Sequence, residues 1–315
     1  MNIQSKLQVE YPLAPLTTFK IGGKAMYFLE ISDKEDITEA CFWAKEKNID
    51  IFILGGGSNM LINDKGVNGL VLKIKNDSIQ AKGDRIECGA GANLNRIQSL
   101  ASTKSLSGLE WVVGIPGATI GGAVRGNAGA FGRSVSDIVE TVEAFDIKKG
   151  GFQLFSNKDC QFEYRGSIFK KKSNYLIWNV VLKLSRGNSE EITSATNEII
   201  ESRQKTQPKL PNAGSIFKNL PFDYIKSVNP ELARLAIESE ATKGDKLGAG
   251  WIIEQVGLKG KAVGGAKVSL EHANFIINTG KASSNDIVSL INTIKEQVSA
   301  RFKVELEEEV QYFGF

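Results

Sequence analysis

Two glycine-dense runs are where this 315-residue sequence concentrates residue types able to do chemistry. In ILGGGSNML, Gly55, Gly56 and Gly57 let the backbone adopt positive φ and come close to a ligand. Successive N–H groups then form a concave anion site suited to phosphate, with Ser58 and Asn59 adding side-chain donors. The same run reads equally as a tight turn after a strand. It is not a Walker loop, since no GK[ST] follows, and a hairpin-like segment rather than a helix is expected next, unlike the GxGxxG arrangement. The second run, GIPGATIGGAVRGNAGAFG at 114–132, carries Gly114, Pro116, Gly117, Gly121, Gly122 and Gly129. Side chains are nearly absent there, so something large can lie against the backbone, and Asn127 can hydrogen-bond an amide or a phosphate. A flexible linker would show more Ser and less Ile, Val and Phe. Two such loops suggest one extended cofactor between two lobes, and a diphosphate-bridged dinucleotide such as FAD fits.

The elements that must position these loops follow from periodicity. Residues 25–31 alternate as a strand, and Asp33 caps a helix whose Ile37, Ala40, Cys41 and Ala44 share one face. The apolar run 51–54 reads as a buried strand leading into the first loop. Short strands are expected at 70–74, 79–81 and 85–89, then a helix at 93–104. Segments 139–145, 151–155 and 176–184 read as strands of a mostly antiparallel sheet. A helix begins at Ser189, shows Ile192, Ala195, Ile199 and Ile200 on one side, and ends before Pro208 and Pro211. The main boundary therefore falls near residue 204. Beyond it come a helix at 249–256, a strand at 274–277, an amphipathic helix at 285–302 and a final strand at 304–313.

Bulk composition narrows the class. Apolar residues at 42% and charged residues at 24% are ordinary globular values, and the length exceeds what one core usually serves. No apolar run approaches the ~20 residues of a membrane helix, and the first residues lack the apolar stretch of a secretory signal. Cys41, Cys88 and Cys160 form no CxxC pair, which points to reduced thiols in the cytoplasm and to no metal site. A net charge of +3 without like-charge blocks does not indicate nucleic-acid binding. The expectation is a soluble, cytoplasmic, monomeric protein.

Several blocks, in order and spanning nearly the whole chain, carry a resemblance. They are TTFKIGG (17–23), LGGGSNMLINDKGVNGLVL (54–72), the 114–132 run, CQFEYRGSIFK (160–170), NAGSIFKN (212–219), AGWIIEQVGLKG (249–260), GGAKVSLEHANFIIN (264–278) and VELEEEV (304–310). Together they resemble the UDP-N-acetylenolpyruvylglucosamine reductase (MurB) family. The resemblance implies an α+β fold: a two-lobed FAD-binding cradle like that of vanillyl-alcohol-oxidase (PCMH-type) flavoproteins, at 1–66 and 67–203, then a MurB-type substrate domain at 204–315. It implies non-covalent FAD, NADPH as co-substrate and reduction of a UDP-sugar enolpyruvyl ether. It also implies three catalytic residues. Arg165 would hold the enolpyruvyl carboxylate, Ser215 would donate the proton, and Glu309 would pair with Arg165 or polarise the enol oxygen. Without the resemblance, Arg165 reads as a surface cation, Ser215 as a turn residue and Glu309 as part of a solvated acidic face. Lys218, Asn219, Gln255 and Lys259 are candidate substrate contacts, and Arg203 a candidate flavin or phosphate contact. His272 reads as structural.

The sequence departs from the family at its end, where Glu308 replaces a proline and Gln311 an arginine. It also lacks the length between Arg165 and Ser215 for a tyrosine-bearing clamp loop, leaving Tyr224 as a candidate clamp. An FAD-dependent oxidase on the same cradle is the competing enzyme, though neither glycine run holds the His or Cys that would tether flavin. A nucleotide-binding sensor without activity is the non-catalytic alternative.

Overall fold

The apolar runs beside the first glycine loop become one sheet in the computed structural model, which describes residues 3–315. Lys24–Ile31 and Ile51–Leu54 each pair in parallel with Val67–Ile74. The sheet order is Gln8–Pro12, Lys24–Ile31, Val67–Ile74, Ile51–Leu54. Parallel neighbours need a crossover, and the helix Lys34–Glu46 leads from Lys24–Ile31 to Ile51–Leu54. Asp33 starts that helix by accepting from Asp36 N at 2.8 Å. Its expected face, Ile37, Ala40, Cys41 and Ala44, is buried.

A five-stranded antiparallel sheet follows in the order Gly151–Ser156, Val139–Asp146, Tyr175–Lys183, Arg85–Gly89, Ile79–Lys82. Leu94–Thr103 and Ser189–Thr206 are helices, and Gln98 Nε2 donates to Thr196 Oγ1 across them at 3.0 Å. Ile192 is buried and Ala195, Ile199 and Ile200 are half-buried, as the periodicity requires. These elements form one unit: residues up to Tyr11, Ala25–Gly57 and Val67–Arg203.

A second unit comprises Pro12–Lys24, Ser58–Gly66 and Gln204–Phe315. The units change between Arg203 and Gln204, and Pro12–Lys24 and Ser58–Gly66 group with the C-terminal third. Its main sheet is antiparallel in the order Asn212–Ser215, Phe275–Asn278, Ala266–Val268, Ala262–Val263. The helix Ser284–Phe302 begins with a Ser283/Asp286 capping box and buries Ile287, Leu290, Ile291, Ile294 and Val298.

Two local expectations fail here. The segment after the first glycine loop is not a hairpin: Met60–Ile62 pairs in parallel with Gln311–Phe313, some 250 residues on. The final strand is not continuous over 304–313 either. Val304, Leu306 and Val310 alternate into the core, but 304–310 gains only single links, among them Lys218 N to Glu307 O at 2.8 Å and Glu309 N to Ile216 O at 2.7 Å. Alternation reports burial, not whether a neighbouring strand runs alongside.

All three cysteines lie in the first unit and are buried, and burial pushes each thiol up to about 12. The thiolate is the reactive form, so a disulfide-exchange reagent at pH 8 is expected to leave the native thiols nearly untouched and to titrate all three in denaturant. Rapid modification of the folded protein would contradict this packing.

Candidate functional site

In the first unit the two glycine runs meet. Strand Ile51–Leu54 ends at Gly55, and a Cβ on Gly56 would fall inside the carbonyl of Gly117, so the loops stack backbone on backbone. A Cβ on Gly55 would lie 3.0 Å from Thr119 Oγ1. Lys73, whose pKa is lowered mainly by burial, donates from Nζ to Gly55 O. Neither Lys73 nor Thr119 stood out in the sequence. Thr119 is the one hydroxyl in the 114–132 run, and that was its only signal.

The second run is not loop throughout. Ile120–Gly126 is a helix, so Gly121 and Gly122 are helical. Gly121 lets the helix lie on Ala90, whose Cβ would sit 2.8 Å from a Cβ at 121. Ile120 N and Gly121 N donate to Ala92 O and Ala90 O, both at 2.9 Å. Gly114 N donates to Asn95 Oδ1 at 3.2 Å, Pro116 lies between Gly114 and the turn at Gly117, and Gly129 pairs with Ser134. Asn127 ends the helix in the left-handed region at φ 40°. Its side chain, expected to face a ligand, is engaged with protein at both ends: Nδ2 donates to Glu163 O at 3.0 Å and Oδ1 accepts from Ser136 N at 3.1 Å.

Arg203 donates from Nη2 to Trp111 O at 3.1 Å and lies 5.5 Å over the Phe131 ring. Burial lowers its pKa, and among the described residues no carboxylate pairs with it. Arg203 Nε and Thr119 Oγ1 are buried polar atoms without hydrogen-bond partners among the described residues. Buried polar atoms of this kind call for a partner. Together with the side-chain-poor glycine backbone, they fit a cofactor bearing phosphates. Arg165 sits in the same unit at φ 56°, in a two-residue turn closed by reciprocal hydrogen bonds of 3.0 Å between Glu163 and Gly166.

The second unit holds the remaining candidates. Ser215 ends the strand Asn212–Ser215 opposite Phe275, directly after Gly214 at φ 76°. The residue is half-buried, and its hydroxyl makes no hydrogen bond among the described residues. Three residues on, Lys218 forms an ion pair with Glu307, leaving its own side chain only 18% exposed. Asn219 Oδ1 accepts from Ala249 N at 3.3 Å, at the start of the helix Ala249–Gln255. Lys259 pairs with Glu254 at 2.7 Å, and Gln255 is half-buried.

The Glu309 carbonyl accepts from Asn59 Nδ2 at 3.1 Å and from Gln311 Nε2 at 2.9 Å. Asn59 therefore joins the end of the first glycine loop to the acidic tail, with its Oδ1 buried and unpartnered among the described residues. Ser58 contributes its carbonyl to Thr18 Oγ1 at 3.4 Å. Glu308 pairs with Lys295 at 2.9 Å. Tyr224 is not a free clamp, because its hydroxyl accepts from Glu305 N at 3.1 Å. His272 is structural in its contacts: Nδ1 accepts from Asn274 N at 3.2 Å, and its ring lies against Gly250 and Phe275.

Comparison with known proteins adds to this geometry. A family model described as "FAD binding domain" matches residues 25–153, and one described as "UDP-N-acetylenolpyruvoylglucosamine reductase, C-terminal domain" matches 206–313. The chain is 38% identical to UDP-N-acetylenolpyruvoylglucosamine reductase from Solibacter usitatus, covering 96% of this chain and 95% of that one. It is 36% identical to the reductase from Caldanaerobacter subterraneus, covering 99% and 95%. The crystal structure of UDP-N-acetylenolpyruvylglucosamine reductase (MurB) from Thermus caldophilus matches with a TM-score of 0.76 at 31% identity, covering 98% of each chain.

Two outcomes follow from the geometry. Gly56→Ala must push the two glycine runs apart, so the purified variant is expected to carry well under half the flavin per protein of the parent, read by absorbance; full retention would show that the approach is dispensable. His272 has its pKa lowered first by burial and then by Lys243 and Lys259. An unfolded histidine titrates near ~6.5, so as pH falls through that value the unfolded chain takes up the proton first and stability drops. Replacing His272 with Gln is expected to flatten the decline in urea midpoint between about pH 7 and pH 5, and an unchanged slope would count against it.

Proposed function

The chain belongs to the UDP-N-acetylenolpyruvoylglucosamine reductase family, and on that premise we propose how its residues carry the reaction. It is an FAD-dependent oxidoreductase that uses NADPH to reduce UDP-N-acetylglucosamine enolpyruvate to UDP-N-acetylmuramate in peptidoglycan precursor synthesis. FAD, when bound, supplies the two-electron relay between NADPH and the enolpyruvyl double bond. It is held non-covalently: the glycine runs and Arg203 offer donors and a cation, and neither run contains a His or Cys to tether it.

Reduction at the terminal vinyl carbon leaves negative charge on the carboxylate-bearing fragment, and a fixed cation must meet it. Arg165 takes this role, since a planar guanidinium grips a carboxylate with two parallel hydrogen bonds. Ser215 delivers the proton to the neighbouring carbon, and Glu309 polarises the enol oxygen. Lys218, Asn219, Gln255 and Lys259 contact the sugar or the diphosphate. The observation that carries the role of Ser215 is that the residue is half-buried and its hydroxyl is occupied by no protein group among the described residues. No helix of the described residues is long and apolar enough to cross a membrane. The substrate and NADPH are cytoplasmic metabolites, so we place the enzyme in the cytoplasm, as a monomer acting without nucleic acid.

Separate measurement of the half-reactions tests these roles. Ser215→Ala is expected to keep its FAD and its reduction by NADPH while slowing reoxidation by the enolpyruvyl substrate roughly 100- to 10,000-fold, the range of a lost general acid. Arg165→Ala should slow the same half-reaction and weaken substrate binding as well. Glu309→Gln should follow Ser215→Ala. Slowed reduction by NADPH with normal reoxidation in Ser215→Ala would make the serine a structural residue instead.

A further inference from the structure

The turn that carries Arg165 is held in a conformation its own sequence does not favour. A residue with a Cβ rarely adopts positive φ, and such strain persists only where the surroundings over-determine it. Glu163 and Gly166 exchange both backbone hydrogen bonds, which leaves Tyr164 and Arg165 as the two central residues, with Arg165 at φ 56°. What over-determines the turn is the end of the Ile120–Gly126 helix. Asn127 Nδ2 donates at 3.0 Å to Glu163 O, two residues before Arg165. Ser167 Oγ, fully buried and two residues after Arg165, donates at 2.7 Å to Arg125 O. Lys170 Nζ donates to Arg165 O at 2.9 Å from the following helix.

The Asn127 amide cannot turn away from this task without loss. Its Oδ1 accepts from Ser136 N, so the NH2 end is committed toward Glu163 O. That carbonyl already accepts from Gly166 N, and Asn127 fills its second lone pair. Asn127 itself stands at φ 40°, a region that Asn tolerates better than most residues with a side chain. The residue expected to contact a cofactor thus spends its side chain on the arginine turn.

We propose that Asn127 is a positioning residue for Arg165: with Ser167, it straps the turn to the end of the second glycine run and so sets where the guanidinium begins. The inference rests on the role given above to Arg165 and deepens it. A catalytic group displaced by even about an ångström loses much of its effect, so the strap should matter to the substrate carboxylate rather than to the NADPH step.

The discriminating variant is Asn127→Asp, which keeps the acceptor for Ser136 N and replaces the donor to Glu163 O by an oxygen. Flavin content, the rate of reduction by NADPH, the equilibrium affinity of the oxidised enzyme for the enolpyruvyl substrate and the reoxidation rate are measured for Asn127→Asp, Arg165→Ala and the double variant. Asn127→Asp is expected to weaken substrate binding and slow reoxidation by roughly 10- to 100-fold, with flavin content and the NADPH step within about twofold of the parent. In the Arg165→Ala background it should add nothing, because the group being positioned is gone. Parent-like substrate binding and reoxidation in Asn127→Asp, or a loss that adds in full to Arg165→Ala, would overturn the proposal. If Asn127→Asp loses flavin or fails to fold, Ser167→Ala, which cuts the other strap, is judged by the same criteria. Parent-like behaviour of Arg165→Ala itself would overturn the role of the arginine, and the positioning role with it, an outcome distinct from failure of the strap alone.

Discussion

The approach of Gly56 to the Gly117 carbonyl is the constraint on which the first unit turns. Two backbones that close leave no volume for a Cβ, so one of the two must be glycine, and the strand Ile51–Leu54 must deliver it there in register. That register comes from parallel pairing with Val67–Ile74, which in turn needs the crossover helix Lys34–Glu46. On the other side, Gly117 is placed by the helix Ile120–Gly126, whose first N–H groups bond to Ala90 and Ala92 at the end of the antiparallel sheet. Both sheets of the unit therefore converge on one backbone contact between the loops.

Around that contact the unit buries positive charge. Burial lowers the pKa of Lys73, which donates to Gly55 O, and of Arg203, which lies against Gly114. The diphosphate of a bound FAD would bring both negative charge and acceptor oxygens to such cations.

In the second unit the acidic tail is held mainly through its main chain. Glu309 donates its N–H to Ile216 O, and its carbonyl takes two side-chain amides, from Asn59 and Gln311. Gln311 stands where the family commonly has arginine, and here it braces the residue two positions before it. Glu308 forms an ion pair with Lys295. Both residues bond to neighbouring groups of this chain, and Ile216 O, next in sequence to Ser215, accepts from Glu309 N.

Much was legible before the fold was known, because it depends on local chemistry. Asp33 as a helix cap, the apolar face of Ser284–Phe302 and the strand ending at Gly55 follow from side chains a few residues apart. The glycine runs announced a backbone approach, and the ordered motifs pointed to the family. What the sequence could not disclose is partner choice over long separations. Met60–Ile62 pairs with Gln311–Phe313, and the run 304–310 alternates like a strand without gaining a ladder. Asn127 had the residue type for a ligand contact, yet its amide is taken by Glu163 and Ser136. Hydrogen-bonding capacity is a property of the residue and can be read in one dimension. Which group consumes that capacity is settled only when tertiary packing brings the competitors within 3 Å.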